Sequence, residues 1–165
     1  MKSSAPAVLL ALSSLAATAV AQNRPDFSGT WAMDPSQSAL AVQNEPVRSR
    51  TLVINQTATE LTIETHQEGK TDTVRYQPGG PGAMSSSGGR TSILASVWYW
   101  EGGKLVTETV RNVSDATVRT REVHTLDTAG DEMTVETLLI VEHGYTIRGG
   151  QNYANGKDVY KRVRQ

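Results

Sequence analysis

Cysteine is absent from the 165-residue chain. This excludes disulfide bonds, cysteine-based metal sites and a cysteine nucleophile. A chain of this length must therefore be held together by side-chain packing and backbone hydrogen bonds. A β-sheet that closes on itself supplies both without leaving an unpaired edge.

An excess of charge of either sign is also absent. The chain has 16 Lys and Arg against 17 Asp and Glu, a formal net charge of −1, and the two signs are interspersed. A protein that tracks nucleic-acid phosphates presents a basic stripe. The sequence therefore predicts no nucleic-acid partner.

Familiar catalytic motifs are missing as well. There is no Gly-x-Ser-x-Gly nucleophile motif and no glycine-rich phosphate loop, and the three histidines, His66, His124 and His143, are far apart in sequence. We therefore predict a protein that is not an enzyme, with no cofactor and no metal site. An enzymatic role would require one of these histidines to meet a carboxylate in a cleft.

Long apolar runs are confined to the first residues. Lys2 is followed by a segment rich in Ala and Leu, and Ala19-Val20-Ala21 is a small-x-small cleavage site. This layout is typical of a secretory signal peptide and is too short for a membrane span. We predict a signal peptide at 1–21, a single domain at 22–165, and a periplasmic or extracellular location without a membrane span.

The chain has instead a series of short segments in which apolar and polar residues alternate, and these segments are separated by turns. Nine strands are predicted, at 27–33, 48–55, 60–67, 71–77, 90–100, 105–111, 117–126, 132–142 and 158–164, with a mobile Gly- and Ser-rich loop at 78–89. A helical turn is expected after Asp34-Pro35, and no long amphipathic helix is predicted. The pattern indicates an all-β antiparallel meander, either a barrel or a sandwich.

Segment 117–126 carries polar residues on both faces, including Arg119, Arg121, Glu122 and His124. Two interpretations stay open at this point. The barrel interior is partly open or polar and wet, or the charges lie on a solvated outer face while Thr and Val fill the inside.

The opening motif Phe-Ser-Gly-Thr-Trp-x-x-Asp-Pro-x-x-Ser at 27–38, with Val159-Tyr160-Lys161-Arg162 near the end, resembles a group of exported, lipocalin-like bacterial proteins. The resemblance implies a calycin-type, antiparallel up-and-down β-barrel of about eight to nine strands. It also implies that Trp31 lies at the closed end of the barrel, covered by Arg162 or Arg164. Such a pair is structural, since a guanidinium on an indole ring contributes about 0.5–2 kcal/mol.

The fatty-acid-binding branch of this class binds a carboxylate with Arg-x-Tyr in its last strand. The corresponding residues here are Asp158-Val159-Tyr160, so an acid replaces the arginine. An acid at this position repels a fatty carboxylate. We therefore do not expect that mode of binding.

Seven residues are candidates for ligand contact: Trp98, Tyr99, Trp100, Arg111, Arg119, Arg121 and Tyr160. Aromatic side chains offer large contact area, and guanidinium groups bind anions in a bidentate way. The alternative is structural and is favoured: the aromatic residues pack in the core, and the arginines pair across strands with Glu108, Glu122 or Glu136.

Two functions from different classes follow. The first is a secreted or periplasmic protein that binds a small, partly apolar ligand. The second is a cell-envelope interaction module with a solid core and no ligand, which docks another protein through the aromatic cluster 98–100. The orientation of those aromatic residues separates the two hypotheses.

Cleavage after Ala21 is directly testable. When the full chain is expressed in a bacterium, the exported fraction should have the intact mass of residues 22–165. Ala21→Gln should block cleavage because the last position of the site takes only a small residue, whereas Val20→Gln at the tolerant middle position should not. Recovery of the uncleaved mass in the cytoplasm would contradict the prediction.

Overall fold

The computed structural model describes residues 24–39, 48–81, 93–144, 146–147 and 150–164. The segment 1–21 and most of the Gly- and Ser-rich loop lie outside the described residues. Nine strands are present: β1 (Gly29–Met33), β2 (Thr51–Gln56), β3 (Leu61–Gln67), β4 (Lys70–Pro78), β5 (Ile93–Glu101), β6 (Lys104–Val113), β7 (Ala116–Leu126), β8 (Glu132–His143) and β9 (Tyr153–Arg162).

The strands form one closed barrel in chain order, and β9 pairs with β1 to close it. All neighbours are antiparallel except β4 and β5, which run parallel over two residue pairs, Gln77 with Val97 and Pro78 with Trp98. An odd number of strands cannot alternate in direction all the way round a ring, so one parallel pair is required. The all-β barrel predicted from the sequence is confirmed, and the uniform antiparallel meander is corrected at this one junction.

The connections follow from local sequence. Asp34 begins a short 3₁₀ helix, Pro35–Gln37, where its carboxylate accepts a hydrogen bond of 3.1 Å from the backbone of Ser36. The turn between β5 and β6 contains Gly102 with a φ of +61°, a conformation that favours glycine. No helix among the described residues is long and apolar enough to cross a membrane.

The last strand is longer than the sequence predicts. It begins at Tyr153 rather than at 158, because residues 153–157 pair with β8 as far as Ile140. Gly156 lies within this ladder, opposite Thr137, and does not end the strand. Glycine is a weak strand former, so its position within a paired segment was missed.

Strand β7 settles which of the two interpretations of its polar residues holds. Val118, Thr120, Glu122 and His124 line the barrel interior, whereas Arg119 and Arg121 pair with acids on the outer face. The interior is therefore partly polar, as the first interpretation proposed.

One end of the barrel is filled by a hydrophobic core. The turns between β2 and β3, β5 and β6, and β7 and β8 lie at this closed end. Its largest fully buried residues include Phe27, Trp31, Leu61, Leu105 and Met133. Core packing thus fills one half of the barrel, and the other half contains a cavity lined by both apolar and polar side chains.

Trp31 and Arg162 seal this end together. The guanidinium carbon of Arg162 lies 4.1 Å from the centroid of the Trp31 ring. Its nitrogens donate to the backbone carbonyls of Gly130, Ser28 and Asp26 at 2.8, 2.6 and 3.2 Å. A single side chain therefore links the start of the described chain, the turn before β8 and the last strand.

Gly29 makes room for this contact. Its φ is +128°, and a Cβ at this position would lie 2.9 Å from Nη1 of Arg162. The glycine two residues before Trp31 is thus required by the arginine that covers the tryptophan. Arg164, the other candidate for this role, is 77 % exposed and pairs with Asp131 instead.

We predict that Arg162→Ala lowers the free energy of unfolding by about 3 kcal/mol, because charge-assisted hydrogen bonds and a cation–π contact are lost together. Arg164→Ala is the matched control and should change it by about 0.5 kcal/mol or less. Urea denaturation of the two variants measures the difference. Equal effects of the two substitutions would show that Arg162 does not hold the closed end.

Candidate functional site

The open half of the barrel contains a cavity of about 830 Å³. All strands except β1 and β5 contribute lining residues. Its apolar wall includes Leu52, Ile63, Val74, Val118, Val135 and Leu139, and its charged residues are Arg48, Arg50, Glu68, Lys70, Asp72, Arg111, Glu122 and Asp158. An aliphatic wall combined with a few charged groups is the general character of a small-molecule site.

Two ion pairs lie toward the mouth, where β3 turns into β4. Arg48 contacts Glu68 at 2.8 Å, and both side chains are exposed. Arg111 donates from Nη1 to Asp72 at 3.2 Å, across the junction between strands β4 and β6. Exposed pairs of this kind contribute little to stability, so their main effect is on the charge around the entrance.

A third ion pair lies deeper. Nη2 of Arg50 is 3.1 Å from Oδ2 of Asp158, which is buried. Arg50 precedes β2, and Asp158 lies on β9 opposite Val135. Since β2 and β9 both pair with β1, the ion pair joins the two neighbours of β1 at the base of the cavity. Nε of Arg50 and Oδ1 of Asp158 are buried and find no hydrogen-bond partner within the part of the chain that the structure describes.

Glu122 lies beside this pair. Its Oε2 accepts a hydrogen bond of 3.3 Å from the Thr107 hydroxyl, and 31 % of its side chain is exposed, to the cavity. Burial raises the pKa of Glu122, and the charges of Arg50 and Arg111 oppose that rise. Burial also raises the pKa of Asp158; Arg50 opposes the rise and Glu122 adds to it.

His124 forms the floor under Glu122. Its Nε2 is 3.3 Å from the Thr107 hydroxyl and 3.7 Å from Oε2 of Glu122, and its ring lies edge-on to Phe27. Burial lowers the pKa of His124 to about 4, so the ring is neutral at pH 7. Its buried Nδ1 has no hydrogen-bond partner among the described residues.

His124 and Glu122 form the approach of a histidine to a carboxylate that an enzymatic role would require. The expectation that the protein is not an enzyme therefore stays a prediction. Among the described residues no group of three or more side chains could hold a metal ion.

The other two histidines lie elsewhere. His66 is on the outer side of β3, where it contacts Thr71 and Glu64 at 3.0 and 2.6 Å. The side chain of His143 lies outside the described residues.

Tyr76 and Tyr160 complete the polar part of the wall. Burial raises the pKa of both phenols well above the usual value, so both stay protonated across the physiological range. Each hydroxyl therefore remains a hydrogen-bond donor. Tyr160 and Arg111 are the two sequence-predicted ligand contacts that line the cavity.

The three consecutive aromatic residues on β5 do not line the cavity. Trp98 and Trp100 point to one face, as the alternation of a strand requires, and pack in the closed end with ring centroids 6.2 Å apart. Tyr99 points outward, packs against Val106 and Val123, and donates to Glu108 at 2.6 Å. Trp98, Tyr99 and Trp100 are therefore not contacts of a ligand in this cavity, and the packing role that the sequence favoured for them agrees with their positions.

Arg119 and Arg121 belong to the same outer face. Arg119 binds Glu142 at 2.8 Å and Glu108 at 3.5 Å, and Arg121 binds Glu101 at 2.6 Å. Both guanidinium groups are directed away from the cavity. They were candidates for binding a ligand anion, and the structure places them in ion pairs across strands, the alternative that the sequence favoured.

Sequence reasoning missed Arg50, Glu122 and Asp158 as a group. Successive side chains of β7 point to opposite faces, so Glu122 and His124 share one face and Arg119 and Arg121 share the other. The sequence does not show which of these two faces lines the interior. Arg50 lies before the first residue of β2, so strand alternation does not predict the direction of its side chain. Only the closed barrel brings positions 50, 122 and 158 together.

Comparison with known proteins bears on the fold. No family model and no curated protein matches the sequence. Among solved structures, the chain is similar to human cRBP IV at 17 % identity and a TM-score of 0.53, covering 84 % of this chain and 99 % of that one.

Two further structures have the same architecture. Fatty-acid-binding protein 1 of Echinococcus granulosus is 14 % identical with a TM-score of 0.51, covering 84 % of this chain and 98 % of that one. An abundant heat soluble (SAHS) protein from Ramazzottius varieornatus is 13 % identical with a TM-score of 0.53, covering 83 % and 95 %. At these identities the similarity shows a shared barrel fold.

The buried histidine should make stability depend on pH. Its folded-state pKa, about 4, lies below the unfolded value of 6.5, so its contribution is complete above pH 6.5 and is lost as the pH falls toward 4. Relative to His124→Gln, the wild type should lose about 1.4 kcal/mol of unfolding free energy per pH unit across that window.

Urea denaturation at several pH values measures this difference in slope. Glu122 and Asp158 have raised pKa values and act in the opposite direction. Because Glu122 lies 3.7 Å from His124 and titrates together with it, the comparison is made in a Glu122→Gln background. NMR of the imidazole ring gives an independent check. A His124 ring that titrates near pH 6.5 in the folded protein would refute the assignment.

Proposed function

We propose that the protein binds a small, partly apolar molecule inside its barrel. The observation that carries this proposal is the cavity of about 830 Å³ with an aliphatic wall and a charged base. Sites for small organic molecules have volumes of roughly 300–1,000 Å³ and combine apolar surface with a few polar groups.

The unpartnered polar atoms support the same proposal. Oδ1 of Asp158, Nε of Arg50 and Nδ1 of His124 are buried without partners among the described residues, and all three residues line the cavity. Buried polar groups nearly always have hydrogen-bond partners in folded proteins, because leaving one unpaired destabilises the fold. A ligand with polar groups at one end can provide these partners.

One of the similar structures is named a fatty-acid-binding protein, which agrees with a lipophilic ligand for this fold. The similarity of fold does not identify the ligand. In this chain the residue two positions before Tyr160 is Asp158, so the position expected for a carboxylate-binding arginine carries a negative charge.

We further propose that the barrel acts after export, in the periplasm or outside the cell. The signal-like segment 1–21, with Lys2 and the Ala19-Val20-Ala21 site, supports this location. Docking of an envelope protein through the aromatic cluster 98–100 receives less support, because Trp98 and Trp100 pack inside the barrel.

Ligand binding can be tested by titrating the protein with N-phenyl-1-naphthylamine, a neutral apolar fluorophore. A saturable rise in fluorescence is expected. Leu139→Trp places a large ring in the cavity and should weaken binding about tenfold or more. Leu138→Trp, the neighbouring residue on the opposite face of β8, should leave the Kd within about twofold.

Native mass spectrometry of protein purified from its own source provides a second measurement. An extra mass that is lost on denaturation would identify a carried ligand. If no probe in a panel of lipophiles gives a saturable signal and the native mass is that of the bare chain, the proposal fails.

A further inference from the structure

The base of the cavity holds more acid than base. Asp158 and Glu122 both lie close to Arg50, whose guanidinium contacts Asp158 at 3.1 Å and whose charge also acts on Glu122. Two carboxylates thus lie around the Arg50 guanidinium, and Arg111, itself paired with Asp72, also acts on Glu122. Because the charge of Glu122 adds to the rise in the pKa of Asp158, a further positive charge between the two would stabilise both carboxylates.

Two of the other cations of the cavity have acidic partners of their own. Arg111 contacts Asp72 at 3.2 Å, and Arg48 contacts Glu68 at 2.8 Å. Lys70 is exposed at the turn between β3 and β4. The cavity lining is balanced as a whole, and the excess of negative charge is local to its base.

A second observation is independent of this charge count. Oδ1 of Asp158 is a buried acceptor with no hydrogen-bond partner in the described ranges, and the residue is only 7 % exposed. The buried Nδ1 of His124, a residue 1 % exposed, is unpaired as well. Both residues line the cavity, so a molecule bound there is in a position to provide these partners.

Building on the ligand binding proposed above, we infer that the cavity selects an amphipathic amine. The protonated nitrogen binds between Glu122 and Asp158 and donates hydrogen bonds to their carboxylates. The apolar part of the ligand lies along the aliphatic wall that includes Leu52, Val118 and Leu139. A charge-assisted hydrogen bond to a carboxylate in a water-poor site is among the stronger polar contacts.

A carboxylate ligand is disfavoured at the same place. Nε of Arg50 is a buried donor without a partner among the described residues, but a carboxylate that reached it would lie next to two negative groups, or would displace Asp158 and leave that buried charge unpaired. Breaking a buried ion pair by removing one partner is strongly unfavourable. The cavity therefore discriminates by the sign of the charge on the head group.

Three probes with the same ten-carbon chain test this selection. Decylamine, decanol and decanoate are titrated at pH 7 below their aggregation limits, by isothermal calorimetry or by displacement of N-phenyl-1-naphthylamine. We expect decylamine to bind about tenfold or more tightly than decanol, and decanoate to bind more weakly than decanol.

Glu122→Gln has the same shape as the wild type and keeps a hydrogen-bond acceptor for Thr107. It should reduce the preference for decylamine over decanol by about tenfold and change the Kd of decanol by less than about twofold. Glu101→Gln removes an acid on the outer face, where Glu101 pairs with Arg121, and should change neither. Thermal unfolding of both variants confirms that they fold.

The outcomes separate the two proposals. If all three probes bind equally, or decanoate binds most tightly, the cavity binds ligands but amine selection is wrong. If decylamine binds most tightly and Glu122→Gln leaves the preference intact, the nitrogen does not bind at Glu122 and the inference fails. If none of the probes binds, both proposals fail.

Discussion

Closure of the sheet is the constraint on which the other features depend. Without cysteine, the chain has no covalent cross-link, and every strand obtains its stability from a neighbour on each side. Closing a ring of nine strands forces one parallel pair, between β4 and β5, and that pair is short. Closure also directs every second side chain of each strand into the barrel interior. The identity of each of these residues determines whether the interior is packed, polar or empty at that level.

The two halves of the barrel interior differ in composition. Aromatic and aliphatic side chains fill the closed end, where Arg162 caps Trp31 and binds three backbone carbonyls. In the open half, Glu122, His124 and Asp158 take positions that aliphatic residues could have filled with greater stability. Buried ionic groups are weak contributors to folding. Their presence around a cavity, with acceptors and donors left unpaired, is better explained by recognition than by stability.

The period of the strands made an all-β meander predictable from sequence, the resemblance of the opening motif selected the barrel, and local patterns gave most strand positions to within a few residues. The contact of Trp31 with Arg162 was expected from resemblance, and Gly29 supplies its physical reason. The site was harder to predict for two reasons. Alternation assigns residues to two faces but does not say which face is inside, so Arg119 and Arg121 were as eligible as Glu122 and His124. Arg50, Glu122 and Asp158 come from positions more than 30 residues apart, and no local pattern in the sequence predicts that the fold brings them together.

The position of Asp158 shows how one fold can serve opposite chemistries. A barrel places the residue two before Tyr160 at the base of its cavity because strand alternation directs both inward, whatever the residue is. An arginine there would attract anions, whereas the aspartate of this chain pairs with Arg50, whose charge acts on Glu122 as well. Under the proposed selection of an amine, the sign of the head group is set by a few side chains on the barrel scaffold. The fold by itself identifies no ligand, and the proposal rests on the charges at the base of the cavity.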